Sequence, residues 1–503
     1  MTLVHARLLA LLLAALASRA HAAPDDTLES ELAAVTDALL EARFPKRSAK
    51  NEKPARGVDE LEEVLSRAYE ESAAGARAQA VARLIDALEG PRFRDFAELP
   101  PFAAAELLLA SLLIEERALG RAERLIAKLT ARGADTRTFG PAFQRGVDIA
   151  LLRGDLDASA DRLAALLPKA PPRDAADALH YLRGLAAHDD GLTAQARAQL
   201  TAVSRRSRFH PSARYLLGVI ASAEGAYDEA MAHFREVCRR CDDPRAAHRV
   251  SPSLFALDDL AWLGLGRVAH EQRRDDVAFA HYFRVPNDSP KLADALFEAA
   301  WASYARGRQA VALDGLDQLE ARFPGTVHAD EARVLRGYVA LAQGRFDEAV
   351  RMLADVERTL TARVADPSSL PLPSEPKRAR IAAMERALHD ARAASTRAGA
   401  KLRARVEALA HALGDARIAA ETEARAELTR RLAQALRRAR IARVDAIMGK
   451  KRALEDEIAS LAAGRFPPEL PRATAPEGLL RDDEEYWPFE GEAWDDERAE
   501  SRR

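Results

Sequence analysis

The chain has 503 residues, a formal net charge of −3, 30% charged residues and only 6% aromatic residues against 48% hydrophobic. That length exceeds one ordinary domain. The near-neutral balance excludes a whole-chain footprint for nucleic acid. With so few aromatics, Ala and Leu must carry the core, as in closely packed helices.

The first residues read as a targeting segment. Arg7 is the charged flank, Leu8–Ala17 is an apolar run too short to span a bilayer, and Ala20-His21-Ala22 places small residues where a signal peptidase needs them. Residues 1–22 are thus a predicted signal peptide, and the mature chain is expected to start near Ala23. No Cys follows the apolar run, so no lipid anchor of the bacterial lipoprotein kind is expected. No later stretch reaches the roughly 18 uninterrupted apolar residues of a spanning helix. The expected location is the periplasm, with extracellular release as the alternative. Residues 23–57 read as an N-terminal helical segment.

From residue 58 a ladder appears. Gly75, Gly120, Gly154, Gly191, Gly225, Arg273, Gly307 and Gly344 are separated by 45, 34, 37, 34, 48, 34 and 37 residues. Each anchor sits between two amphipathic stretches, usually with a small residue five positions later. In the clearest unit Leu217, Gly218, Ala221, Gly225, Tyr227, Ala230 and Phe234 fall in the order of a tetratricopeptide (TPR) template. Units at Ala178, Asp259, Ala293 and Asp330 repeat it, with Arg273 where Gly is usual. The expectation is an all-α, TPR-type solenoid of helix pairs over residues 58–360, followed by a long coiled-coil or helical-hairpin region. Such arrays present extended surfaces that bind other proteins. Arg214 and Arg267, on first helices, are the candidates for facing the groove.

Cys238 and Cys241 are the chain's two cysteines and lie in the 48-residue step. Three readings are open. A redox dithiol needs its nucleophile at a helix N-terminus, whereas Cys238 is expected at a C-terminus. A zinc site with His233 and His248 lacks a second Cys pair. A local structural disulfide suits an oxidising compartment and is preferred.

Residues 361–376 hold four prolines and form a linker. Residues 377–463 carry a heptad-like stripe including Leu402, Leu409, Leu413, Leu428, Leu432 and Leu436. Gly414-Asp415 is the expected hairpin turn. From Pro376 to Gly464 there are 20 bases and 11 acids, either a solvated face or a site for an anionic partner. Self-association through this coil is also open. Residues 464–503 are acidic, and Tyr486, Trp487, Phe489 and Trp494 stand out as aromatic anchors for the basic coil or for a partner.

Catalytic signatures are missing from the sequence: no Gly-rich phosphate loop, no metal-binding His pair with Glu, no nucleophile elbow. His188-Asp189-Asp190 reads as an exposed turn. Neither enzyme activity nor a cofactor or metal is expected. Two segments, Val285–Pro290 with Ala295–Trp301 and then Tyr486–Glu492, resemble exported TPR proteins of myxobacteria, among them components of the adventurous gliding motility machinery. Ala493 and Asp495 depart from that pattern. The resemblance implies a cell-envelope scaffold acting on envelope proteins. Alternatives are a periplasmic assembly factor or chaperone and, from another class, a dithiol oxidoreductase.

Overall fold

The computed structural model describes residues 24–44, 54–169, 171–241, 252–326, 328–369, 372, 376–394 and 398–463. The signal segment, the residues 242–251 that follow Cys241, and the acidic aromatic tail lie outside them.

Among the described residues, Pro24–Arg43 forms α1, and eight helix pairs follow. The first four pairs are α2 (Asp59–Ala73) with α3 (Arg77–Glu89), α4 (Pro100–Glu115) with α5 (Leu119–Ala131), α6 (Phe139–Arg153) with α7 (Leu156–Ala165), and α8 (Arg173–Asp189) with α9 (Thr193–Ala202). The next four are α10 (His210–Ala223) with α11 (Tyr227–Cys241), α12 (Pro252–Glu271) with α13 (Asp275–Tyr282), α14 (Leu292–Ala305) with α15 (Gln309–Arg322), and α16 (Ala329–Ala342) with α17 (Phe346–Ala365). Two further helices end the described chain, α18 (Pro376–Ala394) and the long α19 (Ala400–Ala462). The repeat reading is therefore met: helix pairs, each joined by a tight turn.

The turns explain the ladder. Gly225 takes a left-handed φ of 73°, and the chain closes around it with Ala226 N–H donating to the Ala221 carbonyl at 2.8 Å. That is the bond expected when a left-handed residue ends a helix. Arg273 does the same at φ 58°, closed by Arg274 N–H on the Ala269 carbonyl at 2.8 Å. Gly120 departs from expectation. It lies inside α5, and the left-handed residue of its pair is Arg117, also at φ 58°. Glycine is nevertheless required at 120, because a Cβ there would strike the Asp37 carboxylate of α1.

Glycines also set the spacing within pairs. A Cβ on Gly218 would meet the Phe234 ring at 2.6 Å, and one on Gly184 would meet Leu200 at 2.7 Å. Each glycine leaves the space that a large side chain of the second helix fills.

The chain divides into two compact units: residues up to 213 with 377–419, and 214–376 with the residues from 420 onward. The first has a core of Leu84, Leu109, Leu113, Leu119 and Ile126, joined by Ala33 of α1. There α1 docks on the turn between α4 and α5. Thr36 Oγ1 donates to the Arg117 carbonyl at 2.8 Å, and Arg117 Nη1 donates to the buried Glu29 carboxylate at 2.8 Å. Asp37 accepts from the Arg121 N–H at 3.1 Å, and burial raises its carboxyl above the usual range despite that bond. From α18, Arg380 donates to the last carbonyl of α6, at Arg153, over 2.7 Å, as a cation at a helix C-terminus should. Arg405 of α19 reaches Glu31 of α1 at 2.8 Å.

Gly414-Asp415 is not a turn: α19 runs through it without a break. The hairpin reading holds between α18 and α19 instead, since Arg392 pairs with Glu407 and Arg417 with Glu385 in antiparallel order. Glycine inside a helix costs only about 1 kcal/mol, too little to break one held by such contacts.

In the second unit, Leu432, Ala435, Leu436, Ala439, Ala442 and Ala446 of α19 are buried in one cluster with Leu335, Leu353 and Leu360 of the last repeat. Gly449 belongs to that face, because a Cβ on it would meet the Phe346 ring. Arg438 pairs with Glu331 at 2.7 Å, Arg440 and Arg443 both pair with Glu357, and Lys450 pairs with Asp347. These four bases of the helix are thus answered by acids of the repeats.

Candidate functional site

The sequence-predicted groove residues are placed otherwise. Arg267 is buried, its side chain 7% exposed, and its Nε and Nη2 fork onto Glu298, itself 2% exposed, at 2.9–3.3 Å. It ties α12 to α14 and offers nothing to a partner. Arg214 turns toward its own pair: Nε lies 3.0 Å from the Glu236 carboxylate, and Nη1 lies 3.2 Å from His233 Nδ1. The pattern that marked both as polar positions on first helices could not say which flank of the helix they occupy.

Cys238 is buried among Tyr215, Phe234, Val237 and Leu257, about three turns of helix from the Tyr227 start of α11 and near its C-terminal end. That position bears out the helix-end placement expected from sequence. The Cys241 side chain lies outside the described residues, as do Tyr486, Trp487, Phe489 and Trp494.

The surface feature that sequence reasoning missed is Phe283. It is 80% exposed, the most exposed large apolar side chain among the described residues. It follows directly on α13, whose eight residues make it the shortest second helix of the array. Phe279, one turn earlier, stacks against it with ring centroids 6.3 Å apart. On the same segment, Trp262 of α12 stacks with His281 at 5.7 Å and carries the Arg284 guanidinium over its ring at 4.5 Å. Burial, and then the charges of Arg235, Arg274 and Arg284, hold the His281 imidazole down to about 4. It is therefore neutral at physiological pH and free to stack. Two aromatic groups thus sit on one short segment, and Phe283 is the exposed ring of the first. The signal in the sequence was the run Phe279, His281, Tyr282, Phe283, in which only Tyr282 has a repeat-template role: it fills the space over Gly266 and is buried.

Another aromatic group lies inside the same unit. Phe297 stacks on His328 at 4.6 Å, and Trp301 meets Tyr304 edge-on at 5.8 Å and Tyr338 at 6.3 Å. His328 Nε2 and the Asp294 carboxylate are 2.7 Å apart. Burial alone would raise the Asp294 carboxyl, but the His328 bond and charge outweigh it and hold it down to about 2. For His328, burial pulls the imidazole down, and the Asp294 bond and charge more than offset this and raise it. These groups join α14 to α16 and are structural.

Among the described residues, no group of three or more His, Cys, Asp or Glu side chains is placed to hold a metal ion. No described helix is long and apolar enough to cross a membrane.

Comparison with known proteins agrees with this geometry. A tetratricopeptide-repeat family model matches residues 294–326, which span α14, α15 and the turn beyond. A search of curated proteins finds no match. Among solved structures, a tetratricopeptide repeat protein from Parabacteroides merdae is 15% identical over 59% of this chain and 92% of its own, with a TM-score of 0.27. The TPR domain of P58(IPK) is 16% identical over 71% of this chain and 99% of its own, with a TM-score of 0.19. Scores this low carry no weight on spatial arrangement. The fold assignment rests on the chain's own helix pairs, their left-handed turns and their packing glycines.

Proposed function

We propose that the protein is an exported repeat scaffold that holds partner proteins of the bacterial cell envelope, with Phe283 as its principal anchor. The observation that carries this is the 80% exposure of Phe283, stacked on Phe279, on a TPR-type array. An apolar ring left in water on a rigid repeat is what a partner's pocket takes up, and truncating such an anchor commonly costs about 2 kcal/mol or more of binding. Export is supported by the N-terminal sequence: the Arg7 flank, the short apolar run Leu8–Ala17 and the small residues of Ala20-His21-Ala22. The resemblance to myxobacterial envelope proteins extends the proposal to a place in gliding machinery.

The test is chemical crosslinking in the native envelope followed by capture of the tagged full chain. Phe283→Ala should reduce recovery of the principal crosslinked protein by about tenfold or more, with an unchanged melting temperature because the ring is not in the core. Equal recovery from both chains would remove Phe283 from the reading. N-terminal sequencing of the captured native protein should give a start near Ala23, and a retained Met1 would overturn the export.

A further inference from the structure

The distal part of α19 has two apolar faces. One packs on the last repeat through Ala439, Ala442, Ala446 and Gly449. The other points away. Val444, Ile447, Leu454, Ile458 and Leu461 are all exposed, Val444 by 57% and Ile458 by 65%. With Lys451 they are spaced 3, 4, 3, 4 and 3 residues apart. That alternation gives the 3.5-residue period of a coiled-coil seam, with Val444, Lys451 and Ile458 at a positions and Ile447, Leu454 and Leu461 at d positions. A repeat array normally ends in a helix whose outer face is polar. Here the outermost helix ends the array with an apolar seam, the form of a joint.

We infer that α19 pairs through this seam with α19 of a second copy of the chain, in antiparallel orientation. Charge selects the occupant and the direction. Antiparallel pairing centred between Lys451 and Leu454 sets Val444 against Leu461 of the other copy and Ile447 against Ile458. It places Lys451 beside Leu454 of the other copy, its ammonium free to reach water past the seam. The flanking Lys450, whose pair with Asp347 is half exposed and so weak, then also comes beside Glu457 of the other copy, twice by symmetry. Parallel pairing would also match Lys450 with Glu455 of the other copy, but it would stack the two Lys451 ammonium groups in the seam. The seam lysine therefore sets the direction, as polar a-position residues do in coiled coils. The seam covers about two and a half heptads, so the dimer should be weak and concentration-dependent.

Sedimentation of the full mature chain over a range of concentrations tests this. The wild type should pass from monomer to dimer, and Leu454→Asp with Ile458→Asp should stay monomeric while keeping the wild-type melting temperature. Glu457→Lys alone should weaken the dimer by about tenfold, since it turns two attractions into two repulsions. Adding Lys450→Glu to it should restore the dimer. No effect of Glu457→Lys would overturn the antiparallel register. A wild type monomeric at every concentration would overturn the second copy as occupant. Should a dimer then appear only when Tyr486, Trp487, Phe489 and Trp494 are changed to Ala, the chain's own tail is the occupant and the inference falls with it.

Discussion

Two arginines hold the same backbone conformation for different reasons, and substitution should separate them. Arg273 is exposed, and its left-handed φ costs about 1 kcal/mol relative to glycine. Arg273→Gly should therefore stabilise the protein by up to about 1 kcal/mol. Arg117 has the same φ, but its guanidinium is a partner of the fully buried Glu29. Arg117→Gly should destabilise by about 1–3 kcal/mol, because a buried acceptor loses its charged donor. Urea unfolding of the two variants gives the comparison, and equal shifts in one direction would refute the distinction. Residue by residue, the sequence shows what a single conformation demands and hides what a second element supplies. Seven of the eight turn anchors were legible because left-handed backbone selects glycine, or at Arg273 because the period left no other place. Gly120 was misassigned because a glycine required for the approach of Asp37 looks the same as one required for a turn. Arg267 was misassigned because a buried ion pair and an exposed charge share one polar letter.

Between elements, the Asp294–His328 pair joins α14 to the start of α16 and makes their contact depend on pH. The Asp294 carboxyl is held down to about 2, so its contribution is present above its usual value near 4 and is lost only as pH falls toward 2. His328 is raised, so its contribution is complete below its usual value near 6.5 and is lost as pH rises through the raised value. The pair thus contributes most between about pH 4 and 6.5. The urea midpoint of the wild type should fall from pH 6 to pH 8 more steeply than that of Asp294→Asn. Parallel curves would show that the pair adds no pH dependence. The helix pairs themselves were legible from period and small-residue positions, including the end of α11 near Cys238, which the helix passes by three residues. The fate of the last helix was not. Its leucines at 432 and 436 obey a heptad rule, yet they pack on repeat helices. Periodicity reports that a face is apolar and is silent on what covers it.

At the scale of the molecule, two compact units with separate clusters should unfold as separable steps. Leu113 and Leu353 are each fully buried, one in each unit. Replacing either with Ala should cost about 2–5 kcal/mol. In calorimetry, Leu113→Ala should shift one transition and Leu353→Ala another. A single transition moved equally by both would show that the whole chain melts as one.

The pairing of Glu29 and Glu31 with Arg380 and Arg405 has a consequence for the order in which the protein is made. The first unit is discontinuous in sequence: its opening helix is clasped by residues some 350 positions downstream, and all of residues 214–376 are synthesised in between. At about 5–20 residues per second, that stretch takes roughly 10–30 s to emerge. During that interval the opening helix lacks its final partners, and the completed clasp can form only after the ribosome has passed Arg405. Under the proposed export, such a delay would keep the leading end threadable through a narrow translocation channel.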